Sequence, residues 1–152
     1  PNTPSSVLKG ITAMYFNKNC NSIIIENAEM LMNAVGDTIK VNDEELMDAY
    51  TAVSGSGPAY IYYMIEAMID AGIKIGIDPD NAKKLAEKTL VGSAYLLENR
   101  NVDAQELRKA VTSPKGTTEA GLKVLMKDNN FFNLIKNAIN EAKNRGKDLG
   151  KL

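Results

Sequence analysis

The stretch that decides the fold is Pro58–Gly76, PAYIYYMIEAMIDAGIKIG. Its only charges are Glu66, Asp70 and Lys74. They fall at i, i+4 and i+8 and share one narrow stripe of a helix. The remaining positions are apolar or small. A helix apolar nearly all round must be buried nearly all round. A helical domain of ~110 residues buries only about two-thirds of its surface, so one such chain has difficulty enclosing this helix. A partner chain resolves the difficulty, and the pattern predicts an intertwined or extensive homodimer interface. A central helix in a monomeric bundle is the alternative.

Working outward from that helix, the pattern is helical on both sides. Upstream, Asn42 with Glu45 is close to a capping box for a short helix over 43–53, which Ser54-Gly55-Ser56-Gly57-Pro58 breaks. Downstream, Asp78-Pro79 opens a helix over 79–99, and Asp103 opens one over 103–111. Helices over 117–127 and 130–146 follow, the last with a basic end, Lys143 to Lys147, that suits a helix C-terminus. Residues 1–42 read differently, as mixed α/β. A strand is predicted over 10–16, a helix over 21–35 with Gly36 as its C-terminal cap, and a strand over 38–41. Two strands and a helix are too little to close a sheet around a core of their own. The chain therefore divides at 42/43, and the first part looks like the end of something larger.

Composition removes several function classes. The 18 Lys+Arg and 19 Asp+Glu give a net charge of −1, which argues against a nucleic-acid backbone as partner. There is no histidine, so Ser-His-Asp triads, Cys-His dyads and HExxH zinc sites are excluded. The single cysteine, Cys20, forms no intrachain disulfide or Cys-cluster metal site, which fits a reducing cytosol. The longest uncharged run, Ala49 to Ile65, is interrupted at 54–58 and reads as no membrane span. The first residue is Pro1, which fits either removal of an initiator Met or a start inside a longer protein.

Two loops are candidates for chemistry. Gly55-Ser56-Gly57-Pro58-Ala59-Tyr60 fails the GxGxxG dinucleotide pattern, because Tyr60 replaces the third glycine and a helix precedes the loop. It reads as a tight helix–helix corner or as an amide cluster facing a ligand. Thr112-Ser113-Pro114-Lys115-Gly116-Thr117-Thr118-Glu119 is the better candidate. With Gly116 at the N-cap, the amides of Gly116, Thr117 and Thr118 are unpaired helix-start donors beside two hydroxyls. A small carboxylate could dock there without an arginine; an ordinary capped helix start is the other reading. Glu44 and Glu45 sit in a first helical turn, where acids are favoured in any case. Cys20 reads as a buried or half-buried small residue.

Three segments together resemble pyrroline-5-carboxylate reductase. They are Pro1-Asn2-Thr3-Pro4, then Asp48-Ala49 with Val53-Ser54-Gly55-Ser56-Gly57-Pro58-Ala59-Tyr60, and Val111-Thr112-Ser113-Pro114 with Gly116-Thr117-Thr118. Their order and spacing match over essentially the whole chain. The resemblance implies a mainly α chain: residues 43–152 form a helical dimerisation and substrate-binding domain of the 6-phosphogluconate-dehydrogenase-like type. Residues 1–42 are then a short α/β remnant of the NAD(P)-binding Rossmann domain, and Pro1 becomes a fragment start. The activity implied is reduction of 1-pyrroline-5-carboxylate to L-proline with NADPH or NADH, in a cytoplasmic homodimer or a higher oligomer of dimers. The chain alone is implied to be inactive and to bind no cofactor, for want of the main cofactor domain; no metal is called for. Carried over residue by residue, Ser113, Gly116, Thr117 and Thr118 hold the substrate, with Thr118 near its ring nitrogen as the catalytic residue. Glu44 lies near the substrate, and Asn2 and Thr3 near the nicotinamide. Lys115 departs from the family, which often has Gly there; it adds a charge near the carboxylate or the cofactor phosphates, or points to water. Without a cofactor, a non-catalytic dimerisation module and the helical domain of another small-acid dehydrogenase remain the competing readings. Hydride chemistry belongs to a cofactor, so the missing imidazole is no obstacle to the first.

Overall fold

The computed structural model describes residues 1–100 and 102–151. The chain is mainly α, with one two-stranded parallel sheet among the described residues. It forms two compact units, Pro1–Ile61 with Ile135–Leu152, and Tyr62–Leu134.

The first unit begins with a 3-10 turn, Thr3–Val7, followed by β1 (Gly10–Tyr15), α1 (Ser22–Asn33) and β2 (Gly36–Val41). Asn21 starts α1 by accepting the Ile24 amide at 2.9 Å. The strands pair in parallel from Gly10 opposite Gly36 to Tyr15 opposite Val41. Both are edge strands, and only Gly10, Thr12 and Val41 are buried on them. Gly36 is not the helix cap that its position suggested. Ala34 ends α1 in ordinary helical geometry, and Gly36 opens β2 with φ +149. A Cβ there would lie 2.0 Å from the Gly10 carbonyl oxygen. Close approach of the two strand starts demands this glycine, and β2 therefore begins two residues earlier than its β-branched run indicated.

A 3-10 turn, Glu44–Leu46, leads into α2 (Met47–Tyr50), which continues as a π-helical turn over Thr51–Gly55. The capping residue is Asp43, whose carboxylate accepts the Glu45 amide at 3.0 Å, rather than Asn42. The expected break over 54–58 narrows to a bend at Ser56. Its amide reaches back five residues to the Thr51 carbonyl at 2.9 Å, the mark of a widened π turn. The polar groups freed by that turn are satisfied: the Ser54 hydroxyl donates to the Tyr50 carbonyl (2.9 Å), and the Asn2 side-chain amide donates to the Ser54 carbonyl (3.1 Å).

α3 (Gly57–Lys74) enters the second unit, which also holds α4 (Pro79–Asn99), α5 (Ala104–Ala110) and α6 (Thr117–Leu125). α3 stops in a Schellman motif. Gly76, at φ +100, donates to the Ile73 carbonyl, and Ile77 donates to that of Gly72, both at 3.0 Å. Asp78 then caps α4 by accepting the amides of Asp80 and Asn81 at 3.1 and 3.2 Å. Inside this corner Gly72 lies so near Ala82 that a Cβ would sit 3.3 Å from the alanine methyl. Ala82 and Ala86 are the buried apolar residues of the unit. Asp103 caps α5 by accepting the Glu106 amide at 2.8 Å.

α7 (Asn130–Leu149) runs past Gly146, where a stop was expected. In the first unit Gly146 faces Asp48, whose carboxylate oxygen lies 2.6 Å from where a Cβ would be. The glycine therefore serves a close approach and does not end the helix. No helix is long and apolar enough to cross a membrane, among the described residues.

The decisive helix is bare in the single chain. α3, α5, α6 and α7 contain no buried residue. Tyr62 and Tyr63 of α3 are 55% and 73% exposed, and Ile61, Met64 and Met68 are exposed as well.

Candidate functional site

The segment from α5 to α6 is built by a short chain of local bonds. The Thr112 hydroxyl donates to the Arg108 carbonyl at 2.6 Å and closes α5. Next, the Gly116 amide donates to the Ser113 carbonyl at 3.1 Å, making Ser113-Pro114-Lys115-Gly116 a β-turn. Pro114 presets the first corner, and Lys115 at the second has φ +62, the signature of a type II turn. That position favours glycine, because a Cβ crowds the backbone in left-handed geometry. The Lys115 amide donates to a Glu119 side-chain oxygen at 2.8 Å, so a carboxylate one turn into α6 braces the loop.

Gly116 is the N-cap of α6 (φ −82, ψ 170) and makes no side-chain cap bond. A Cβ at Gly116 would sit 2.5 Å from the Ser113 hydroxyl oxygen and 3.1 Å from its carbonyl oxygen. The Gly116 amide is engaged in the turn, so it is not among the free helix-start donors expected from the sequence. The amides of Thr117 and Thr118 are, with no acceptor among the described residues. Both threonines are exposed, and neither hydroxyl has a partner among the described residues. The helix dipole adds a partial positive charge at the same point. This arrangement can take a small carboxylate on two amides and offer a hydroxyl to a neighbouring atom of the same ligand.

The other sequence candidates lie in the first unit. Glu44 is exposed at the start of its 3-10 turn. Thr3 is exposed, whereas Asn2 is partly buried with its side chain engaged at both ends. Asn2 Oδ1 accepts the Ile11 amide at 3.0 Å while its Nδ2 donates to the Ser54 carbonyl. One asparagine thus clamps the start of β1 to the π turn, a role no local sequence signal announces. Cys20 is half-buried, with its thiol 3.6 Å from Asn17 Oδ1. No cluster of three or more metal-ligating side chains occurs among the described residues.

Comparison with known proteins agrees from three directions. Residues 44–149 match the family model described as pyrroline-5-carboxylate reductase dimerisation. The chain is 40% identical to a pyrroline-5-carboxylate reductase of Pseudomonas aeruginosa, over 99% of this chain and 55% of the relative. It is 42% identical to one from Synechocystis, covering 99% of this chain and 56% of the relative. Among solved structures, a pyrroline-5-carboxylate reductase from Coxiella burnetii superposes with a TM-score of 0.92 at 40% identity, over 98% of this chain and 55% of that one. A pyrroline carboxylate reductase from Plasmodium falciparum with NADP bound superposes at 0.88 and 36% identity, over 99% of this chain and 61% of that one. The chain spans about half the length of the curated relatives it matches. Family model, sequence identity and backbone superposition coincide, and the chain belongs to the pyrroline-5-carboxylate reductase dimerisation family.

Proposed function

We propose that residues 1–152 are the dimerising, substrate-holding part of a cytoplasmic oxidoreductase that reduces 1-pyrroline-5-carboxylate to L-proline with NADH or NADPH. The observation that carries the reading is the pair of free amides and free hydroxyls at Thr117 and Thr118. In this reading residues 43–152 are the helical domain, and residues 1–42 belong to the dinucleotide-binding domain. In this reading residues 1–152 act as a homodimer.

The substrate is a flat ring bearing a carboxylate beside a C=N bond. Its carboxylate docks on the Thr117 and Thr118 amides, and Ser113 and Gly116 shape the turn around it. Such docking fixes the ring, so that the Thr118 hydroxyl meets the ring nitrogen. A threonine hydroxyl is too weak an acid to protonate the nitrogen outright near neutral pH. Its role is to orient the nitrogen and relay a proton to it. Glu44, in the first unit, is the further acid that the family resemblance assigns to the substrate.

The nicotinamide supplies the hydride when it is bound. The described residues do not by themselves fit a dinucleotide. The Asn2 amide is engaged on both sides, Thr3 offers one exposed hydroxyl, and the Gly55–Gly57 loop follows a helix instead of a strand. The cofactor is therefore assigned to a portion that residues 1–152 do not contain, with Asn2 and Thr3 bordering its nicotinamide side.

The test is Thr118→Ala in the complete enzyme, with Thr118→Ser beside it. Loss of one hydrogen bond at the reacting nitrogen lowers kcat/KM by ~10- to 100-fold, and serine restores most of it. Full turnover in the alanine variant would remove Thr118 from the chemistry.

A further inference from the structure

Charge is unevenly spread along this chain. Between Arg108 and Lys127 stand five cations, Arg108, Lys109, Lys115, Lys123 and Lys127, against the single acid Glu119, in a protein whose net charge is −1. The fold gathers four of them. Arg108 and Lys109 from the end of α5, with Lys123 and Lys127 from the end of α6 and just beyond, line one open hollow of about 630 Å³. Thr112 and Glu119, the residues that bracket the Ser113–Thr118 loop, line it too. Glu119 is already occupied, accepting the Lys115 amide at 2.8 Å and lying 3.7 Å from Lys123 Nζ. It offsets one charge of the four and leaves the hollow positive.

Cations at a helix C-terminus are favoured by the dipole, which accounts for each helix end taken singly. It does not account for two helix ends converging at the root of one loop. The spacing matters because exposed charges act over a Debye length of ~10 Å at 0.1 M salt, enough to span a hollow that shares its edge with the loop.

We propose that this basic rim is a guiding surface that draws the anionic substrate to the Ser113–Thr118 loop. The proposal rests on the reading of that loop as the carboxylate site. A field of this kind raises the local concentration and arrival rate of an anion, by ~10-fold or more in strong cases. It acts before chemistry, so it acts on kcat/KM and leaves kcat alone.

The experiment uses the complete enzyme. At saturating dinucleotide, kcat/KM for 1-pyrroline-5-carboxylate is measured from about 20 to about 500 mM salt, across which screening becomes nearly complete. The wild type falls as salt rises. The triple variant Lys109→Gln/Lys123→Gln/Lys127→Gln starts ~3- to 10-fold lower, flattens the curve and meets the wild type at high salt, with kcat unchanged. Lys→Arg at the same three positions keeps the wild-type curve, which separates lost charge from lost packing. Parallel salt curves, a deficit that persists at high salt, or a loss that falls on the dinucleotide's KM instead would overturn the proposal. Thr118→Ala separates this idea from the reading beneath it, because it lowers kcat at every salt concentration without altering the slope. A silent Thr118→Ala beside a flattened triple variant removes the Thr118 hydroxyl from the chemistry and leaves the guiding surface standing, because alanine keeps the two backbone amides that hold the carboxylate.

Discussion

At the scale of the residue, Lys115 is the informative side chain. Its backbone sits at φ +62, a conformation that costs a non-glycine residue roughly 1–2 kcal/mol. Lys115→Gly relieves that strain and makes the unfolded chain more flexible, so the net gain is about 1 kcal/mol, read as a higher midpoint in urea unfolding. A loss of stability would mean that the lysine side chain holds the loop. The sequence marked the segment 112–119 as either a carboxylate cradle or an ordinary capped helix start, because Gly, Ser, Thr and Pro are small, polar and helix-starting. It did not show the left-handed turn at Lys115, since residue type argues against one there. Nor did it show that the Gly116 amide is engaged by Ser113, because a turn's internal bond depends on the φ of its neighbours.

Elements whose signals are local were legible, and those set by distant neighbours were not. The caps at Asn21, Asp78 and Asp103 each bond an amide two or three residues on, and each helix starts where the sequence placed it, to within a residue. Gly36 and Gly146 misled because each serves a close approach to a residue far along the chain, Gly10 and Asp48 respectively. The π turn was hidden for the same reason, its Ser54 carbonyl being satisfied by Asn2, 52 residues away. Asn2→Ala removes the clamp at both ends and leaves the Ile11 amide and the Ser54 carbonyl without it. The expected cost is about 1–3 kcal/mol in thermal or urea unfolding. Asn2→Asp keeps the acceptor for Ile11 but sets a carboxylate against a carbonyl, and it should recover little. Full recovery by aspartate would show that the bond to Ser54 contributes nothing.

For the whole molecule the missing quantity is a core. The chain exposes 11695 Å², against about 7,600 Å² expected of a folded monomer of its mass. Among the described residues the buried apolar ones are Val41, Ala52, Ala82 and Ala86, none larger than valine. Such burial offsets little chain entropy, and the homodimer proposed above would bury a second surface, as the apolar circumference of Pro58–Gly76 leads one to expect. Sedimentation of the chain at micromolar concentration is expected to give a dimer, with a melting temperature that rises as the protein is concentrated. A stable monomer whose melting temperature is indifferent to concentration would refute the buried-helix argument. Tyr63→Glu, on the bare face of α3, should shift that equilibrium toward monomer and unfolded chain.

The corner joining α3 to α4 has a kinetic consequence. Its Gly76 stop, its Asp78 cap and the meeting of Gly72 with Ala82 all lie within eleven residues of chain. Contacts that local form early, whereas docking of two chains waits for an encounter. Refolding should therefore show a fast first-order phase and a slower one whose rate rises with protein concentration. Asp78→Ala should retard the first and leave the concentration dependence of the second intact. Nascent chains would then carry a folded corner while still searching for their twin.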